Sequence, residues 1–372
     1  MKIREPHNTT VTAGNPGELL AAVPHLIGFK PQSSLVAVHV DLEQQRTGTL
    51  LRFDLPTDDL DDFAAEVATR IQHGQPDAVL LVCYGDGGGP PGARAAPRHP
   101  PDGVFLRTLP HQDVVERVVA LLACGPVAVL GTAYVDGGRW WTYDCDRPGC
   151  CPAEGVPLPD PGVGAAADLE ALMALAGRRT LASRRELEDA VRGPSGADEK
   201  AMVEVFERVD RELAAEALTE GVEVVRGRTL VLARLLLART AEGGPAPTDD
   251  DVARLSLGAA DLLVRDRFLA FEVADPVAWL GLLTTLARRA PDARAAPICS
   301  LVAWVAYQQG DGALANVALD RVQSIDPQHT MAQLLRDCLE GQVSPGHIAA
   351  LTREAVEAAD RARKEVSGAG AA

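Results

Sequence analysis

Over the first 145 residues, short apolar runs alternate with segments whose apolar residues recur three and four apart. That alternation of strand-like and helix-like periods predicts an α/β N-terminal domain, a mixed sheet covered by helices. Ser34 to Val40 and Ala78 to Tyr84 read as buried strands, and Val127 to Val135 as a third. Asp136-Gly137-Gly138 then turns the chain into Arg139-Trp140-Trp141-Thr142-Tyr143, which predicts an antiparallel hairpin at a sheet edge. Phe63, Val67 and Ile71 mark a helix from about Asp59 to His73, and Val115, Val118, Val119 and Leu122 one from about Gln112 to Cys124. Asn15-Pro16-Gly17-Glu18 has the form of a helix start, with Asn15 as N-cap and Pro16 in the first turn, and it directs Leu19, Leu20 and Val23 toward the sheet.

Two passages break this order. Residues 85–103, dominated by Gly, Pro, Ala and Arg, cannot hold regular structure and predict a disordered loop leaving the end of the Ala78 to Tyr84 strand. Pro152 to Gly164 carries the chain out of the α/β domain and sets the expected domains at 1–160 and 165–372. From Ala165 onward the period is helical, with breaks at Gly193-Pro194, Gly221, Gly243 to Pro247, Asp275-Pro276, Gly310 and Gly341, so the second domain is expected to be all-α and helical-repeat-like. Within it Ala303, Gly310, Ala315, Leu319 and Pro327 fall at the spacing of a tetratricopeptide repeat, although Ala306 stands where an aromatic is usual and Val322 where alanine is usual. Leu230 to Leu237 is one of the most apolar stretches, and Arg234 interrupts it.

The formal charge of −16, with lysine only at positions 2, 30, 200 and 364 and no basic cluster, argues against nucleic acid and anionic membrane surfaces as partners. Met1 to Asn8 has no apolar core of the secretory kind, and no apolar stretch approaches the roughly 20 residues of a spanning helix, so a cytoplasmic protein is expected. In that reducing setting the seven cysteines are expected to be thiols or metal ligands.

Candidate chemistry concentrates in two blocks. Arg139 to Pro152 gathers Trp140, Trp141, Tyr143, Cys145, Cys150 and Cys151. On a strand Trp141 and Tyr143 share one face and Trp140 and Thr142 the other, so at least one large aromatic should lie near solvent or a second domain. The three thiols leave three readings open: a zinc site, a reversible disulfide from Cys145, or packing as small apolar groups. No Cys-x-x-Cys pair supports the first, so no cofactor is expected, with zinc as the one open exception. The second block, Pro24 to Leu35, places His25, Ser33 and Ser34 in a loop before a buried strand, where ligand contacts gather in α/β folds. Gly85 to Gly92 is no phosphate cradle, because Pro90 and Pro91 remove the amides that a phosphate needs. The acidic runs Asp58-Asp59 with Asp61-Asp62 and Asp249-Asp250-Asp251 sit at helix starts, where carboxylates complement the macrodipole.

The run Pro24-His25-Leu26-Ile27-Gly28-Phe29, continuing to Pro31 and Ser34-Leu35-Val36, together with Arg139-Trp140-Trp141-x-Tyr143-x-Cys145, Cys150-Cys151-Pro152 and the helical tail, resembles an actinobacterial family described as a domain of unknown function, DUF4192. The likeness spans nearly the whole chain and implies no catalytic residues. The leading expectation is a non-enzymatic protein-interaction scaffold or adaptor, whose helical domain binds a protein or peptide and whose α/β domain bears an aromatic and cysteine-rich patch. The alternatives are an enzyme or small-molecule sensor with a pocket at the strand ends lined by His25, Ser33, Ser34, Arg139 and Trp141, and a zinc- or redox-responsive scaffold.

Overall fold

The computed structural model describes residues 2–4, 10–87, 109–145, 151–160, 162–175 and 177–369. The chain divides into two compact units, Met1–Arg184 and Arg185–Ala372. Residues 88–103 of the expected loop, and Cys150, lie outside the described residues.

The first unit is built on an eight-stranded mixed sheet: β1 (Lys2–Arg4), β2 (Thr10–Thr12), β3 (Ser34–Asp41), β4 (Arg46–Asp54), β5 (Ala78–Tyr84), β6 (Ala128–Asp136), β7 (Arg139–Thr142) and β8 (Val156–Pro157), in the order β2-β1-β4-β3-β5-β6-β7-β8. β5 and β6 are parallel, and β3, β4 and β7 pair antiparallel with their neighbours β5, β3 and β6. The Gly137-Gly138 turn closes β6 onto β7 with φ of +53° and +75°, values that glycine adopts without strain. β7 is not the edge, because β8 adds outside it. β1, β2, β4 and β8 are not marked by the sequence pattern: three are only two or three residues long, and β4 carries Arg46, Thr49 and Arg52 among half-buried and exposed positions.

Helices cover both faces of the sheet. α1 (Pro16–Ile27) starts at Asn15, whose Oδ1 accepts from the Glu18 amide at 3.0 Å, and it lays Leu20 and Val23 against Val36, Val38, Val82 and Val135. α2 (Leu60–His73) and α3 (Gln112–Leu122) bury Val67, Ile71, Val115, Val118 and Leu122 against the opposite face, on Leu35, Ala37, Leu81 and Cys83. Alternate residues of β3 and β5 thus enter two different cores, which is why both strands read as continuous apolar runs. Leu19 packs elsewhere, with Ile3, Val11, Ala22, Ala165 and Leu169, and the last two belong to α4 (Gly164–Leu175). This packing keeps α4 in the first unit, and the division between units falls beyond Pro152–Gly164, after Arg184.

The second unit is helical throughout: α5 (Arg184–Val191), α6 (Gly196–Glu220), α7 (Val222–Ala241), α8 (Asp249–Gly258), α9 (Leu262–Leu269), α10 (Pro276–Arg289), α11 (Asp292–Gln308), α12 (Gly312–Ile325), α13 (Thr330–Glu340) and α14 (Pro345–Ala369). α11 is buried without a break from Ile298 to Tyr307, the mark of a helix at the centre of its core. α11 and α12 form an antiparallel hairpin in which Ala303, Ala315 and Leu319 are fully buried and Gly310 turns the chain at φ +72°. α8 begins with a capping box, Thr248 and Asp251 each bonding the other's amide, while Asp250 pairs with Arg208 and Asp249 with Arg289. Asp59 stands at the start of α2 without capping it, and Asp61 holds Arg117 at 2.7 Å. Among the described residues no helix is long and apolar enough to cross a membrane.

Candidate functional site

The sequence blocks meet at one end of the sheet. Across six strands the register aligns Asp54, Ser34, Tyr84, Val135, Trp140 and Val156 in a single row. One residue further, the Ser33 amide donates to Gly85 O at 3.1 Å, and the Gly85 amide donates to Val135 O at 2.9 Å. This is the carboxyl end of the parallel pair β5 and β6, the end at which α/β sheets take ligands.

Of the residues singled out in the sequence, His25, Ser33, Ser34, Arg139, Trp141 and Tyr143 have definite partners. His25, in the last turn of α1, meets Thr180 Oγ1 through Nδ1 at 2.8 Å, and burial lowers its pKa against the opposing pull of Glu170. Gly28 ends the helix at φ +93°, so that Phe29 can bridge to Leu181 and the Lys30 amide can donate to Leu181 O at 3.0 Å. Ser34 is buried and donates to Gln32 O at 2.6 Å, while exposed Ser33, at φ +42°, also accepts from the Leu55 amide. Among the described residues neither serine pairs with His25. The Pro24 to Leu35 block therefore ties α1 to the 180–181 segment and gathers the ends of β3, β4 and β5.

The β7 block closes the far side. Arg139 donates to Glu154 O at 2.6 Å and Gly155 O at 3.0 Å, and Trp141 Nε1 donates to Ala153 O at 3.3 Å. Asp144 accepts from the Thr132 amide and hydroxyl, both at 2.7 Å, and pins the end of β7 to β6. Trp141 is buried on the α2/α3 face beside Tyr134, at a ring distance of 5.7 Å, and half-buried Trp140 packs on the α1 face. Trp140 and Tyr143 keep part of their surface exposed, as expected of a strand that carries large aromatics on both faces, while Trp141 is enclosed. Gly155, at φ +76°, lies so close beneath Trp141 that a Cβ would stand 2.4 Å from the indole. Gly155→Ala is expected to destabilise the first unit by about 2–4 kcal/mol, combining left-handed backbone strain with overpacking. Denaturant unfolding followed by the near-ultraviolet signal of the tryptophans measures it; a change below about 0.5 kcal/mol would show that the indole moves aside freely.

Inside this frame lies a polar cluster of which only Tyr143 is singled out by the sequence. Asp136, 6% exposed, accepts from the Gly87 amide at 3.0 Å and from the Tyr134 hydroxyl at 3.4 Å. The Tyr143 hydroxyl donates to Pro110 O at 2.7 Å and is in hydrogen-bonding contact with the Cys83 thiol. Burial pushes the Cys83 thiol up to about 12, and burial raises both Tyr134 and Tyr143, helped by Asp136 and Cys83 respectively. At neutral pH all three keep their protons, so the cluster offers hydrogen-bond donors and no activated nucleophile. Nearby His111 is held neutral by burial, opposed by Asp113 and Asp86. The legible signal was positional: Gly85-Asp86-Gly87 follows β5 directly, and Tyr134 and Asp136 alternate on one face just before the hairpin turn.

Among the described residues no three His, Cys, Asp or Glu side chains stand together as a metal site. Cys145 is half-buried and Cys151 exposed, and with Cys150 outside the described residues the trio is not placed as a set. A family model described as Domain of unknown function (DUF4192) matches residues 16–346. No curated protein and no solved structure matches the chain.

Proposed function

Because the chain belongs to the DUF4192 family, whose description assigns no activity, its role rests on its own residues, and we propose that it is a non-enzymatic adaptor of the cytoplasm whose helical unit binds a protein partner. The observation that carries this reading is the outer face of α7. Thr229, Ala233 and Leu236 recur on its buried side, and Val224, Val231 and Leu235 form a stripe on the opposite side, Val231 54% and Leu235 63% exposed. Near the turn at Gly221, Leu218 of α6 is 88% exposed. An exposed apolar pair one turn apart, Val231 and Leu235, with Val224 two turns before it, suits the apolar face of a partner helix.

The hairpin that presents this stripe is braced by ion pairs. Arg254 bonds Glu212 and Glu216, Arg208 bonds Asp250 and Glu212, and Arg228 bonds Glu220 at 2.6 Å. We read α11 and α12, with their small buried residues, as one tetratricopeptide-like hairpin of the same unit. In the first unit the groups offered for chemistry are engaged in holding the fold, which favours binding over turnover.

The reading is tested by a double charge substitution, Val231→Glu with Leu235→Glu. Both sites are exposed, so unfolding is expected to change by no more than about 0.5 kcal/mol. Quantitative affinity capture is expected to lose one defined partner with the double variant and to keep it when Ser33 and His111 are replaced by alanine. Retention by the double variant, or loss with the strand-end variants, moves the function to the sheet.

A further inference from the structure

Four arginines lie on α7, and three of them hold carboxylates: Arg226 bonds Asp261 at 2.8 Å, Arg228 bonds Glu220 at 2.6 Å, and Arg239 bonds Asp251 at 3.4 Å. The fourth, Arg234, has no carboxylate partner among the described residues. Its guanidinium lies over the Phe271 ring, 5.3 Å from the centroid. This is the arginine that interrupts the apolar run Leu230 to Leu237. A chain with 52 Asp and Glu against 36 Lys and Arg has carboxylates to spare, so the unpaired position needs its own reason.

The reason is a cavity of about 360 Å³ between α7, the end of α9 and α14, into which Arg234 faces together with Arg267 and Arg353. That volume lies at the lower end of small-molecule pockets, about 300–1,000 Å³. Leu230, Phe271 and Val356 supply apolar wall, and Glu272 and Glu357 complete the rim. Arg353 touches Glu272 only at 4.0 Å, and Glu357 is turned to Arg361 at 3.6 Å. Three guanidiniums and two carboxylates thus ring an apolar recess.

We infer that this cavity is a binding site for a small amphiphilic monoanion, a carboxylate on an apolar body, with Arg234 as its anchor. The cation–π contact with Phe271 holds the guanidinium at the recess without taking up its N–H groups in a carboxylate pair, so they can meet a ligand carboxylate in the bidentate geometry that lysine cannot offer. The two glutamates at the rim disfavour a dianion, and the apolar wall favours a ligand with a hydrocarbon or aromatic body. The site stands independently of the partner-binding stripe, since it uses another face of α7.

The test is isothermal titration of the full chain with sodium octanoate, with octanol as uncharged match and octyl phosphate as dianion. Saturable binding of one octanoate is expected, with octanol weaker by about tenfold or more, in keeping with the loss of a charge-assisted hydrogen bond. Octyl phosphate is expected to bind no tighter than octanoate. Arg234→Gln is expected to weaken octanoate about tenfold or more, and Arg228→Gln, on the same helix but paired elsewhere, to leave it unchanged. Absence of saturable octanoate binding, equal binding of octanol, tighter binding of octyl phosphate, or an unchanged affinity in Arg234→Gln each overturns the assignment. None of these results depends on whether Val231 and Leu235 hold a protein partner.

Discussion

Replacing Arg321 by methionine is expected to destabilise the helical unit by about 3–5 kcal/mol, the cost of removing one member of a buried charged network. Its side chain is 9% exposed and its guanidinium is spent on helix ends: Nη1 donates to Val191 O at 2.5 Å and Ala287 O at 2.6 Å, and Nη2 to Ala290 O at 2.9 Å and Asp292 at 2.7 Å. The last carbonyls of α5 and α10 have no partners within their own helices, and a cation placed there also meets the negative end of the dipole. Methionine fills the volume and leaves those carbonyls unpaired in the interior. Lysine is expected to recover little, because a single ammonium cannot reach four acceptors in one plane. Hydrogen exchange in α10 to α12, read across a urea series, measures the loss. Full stability in the methionine variant would mean that water enters and caps those ends.

The second large effect is a loss of stability on mild acidification, traced to His39. It lies on β3 with its side chain on the face of Leu35 and Ala37, 5% exposed, where the β3–β4 register shifts and a Cβ placed on Gly48 would stand 3.5 Å from its own. Among the described residues its Nε2 has no hydrogen-bond partner, and burial lowers its pKa to about 4. The unfolded chain therefore takes up this proton first as pH falls. The stability is fully present above about pH 6.5, and it drains as the pH drops toward the folded value, by about 2 kcal/mol at pH 5 and about 3 kcal/mol at pH 4. His25, His111 and His329 are lowered in the same direction, chiefly by burial, and add to the slope. Carboxylates held low by arginine, such as Asp250 and Glu220, lose their pairing only at lower pH, so they do not account for this window. His39→Leu is expected to flatten the pH dependence of denaturation in the first unit. An unchanged slope would assign it to the other histidines.

His39 shows what a sequence conceals. A histidine inside Leu-Val-Ala-Val-His-Val reads as one polar interruption of a buried strand, and only the tertiary packing reveals that it is enclosed with no Nε2 partner among the described residues. The helix start at Asn15, the glycine hairpin and the faces of α2 and α3 are legible because local chemistry and apolar period agree at each of them. Strand β4 is not, since its pairing with β3 comes from tertiary contact and its arginines and threonines resemble loop. The extension of the first unit through α4 is hidden for a similar reason: Ala165 and Leu169 have a helical period, and nothing local says that they complete a core with Ile3 and Leu19. The two sequence blocks were visible as unusual composition. Their meeting in one strand-end row required the register, and the bonds of Arg139 and His25 show residues that look available for chemistry holding a loop and a helix end.

The interruption at Arg234 was equally plain in the sequence, yet its meaning depends on what its three neighbours on α7 do. Paired arginines on one helix are ordinary surface chemistry. An unpaired one set over an aromatic ring at a cavity is a difference that only side-chain partners expose.

Site-directed photo-crosslinking in intact cells tests the assignment of binding to the helical unit most directly, with a benzophenone side chain placed at Leu235 in one protein and at Ser33 in another. A single discrete adduct with another protein from Leu235, and none from Ser33, is the predicted result; an adduct from Ser33 with none from Leu235 would contradict it.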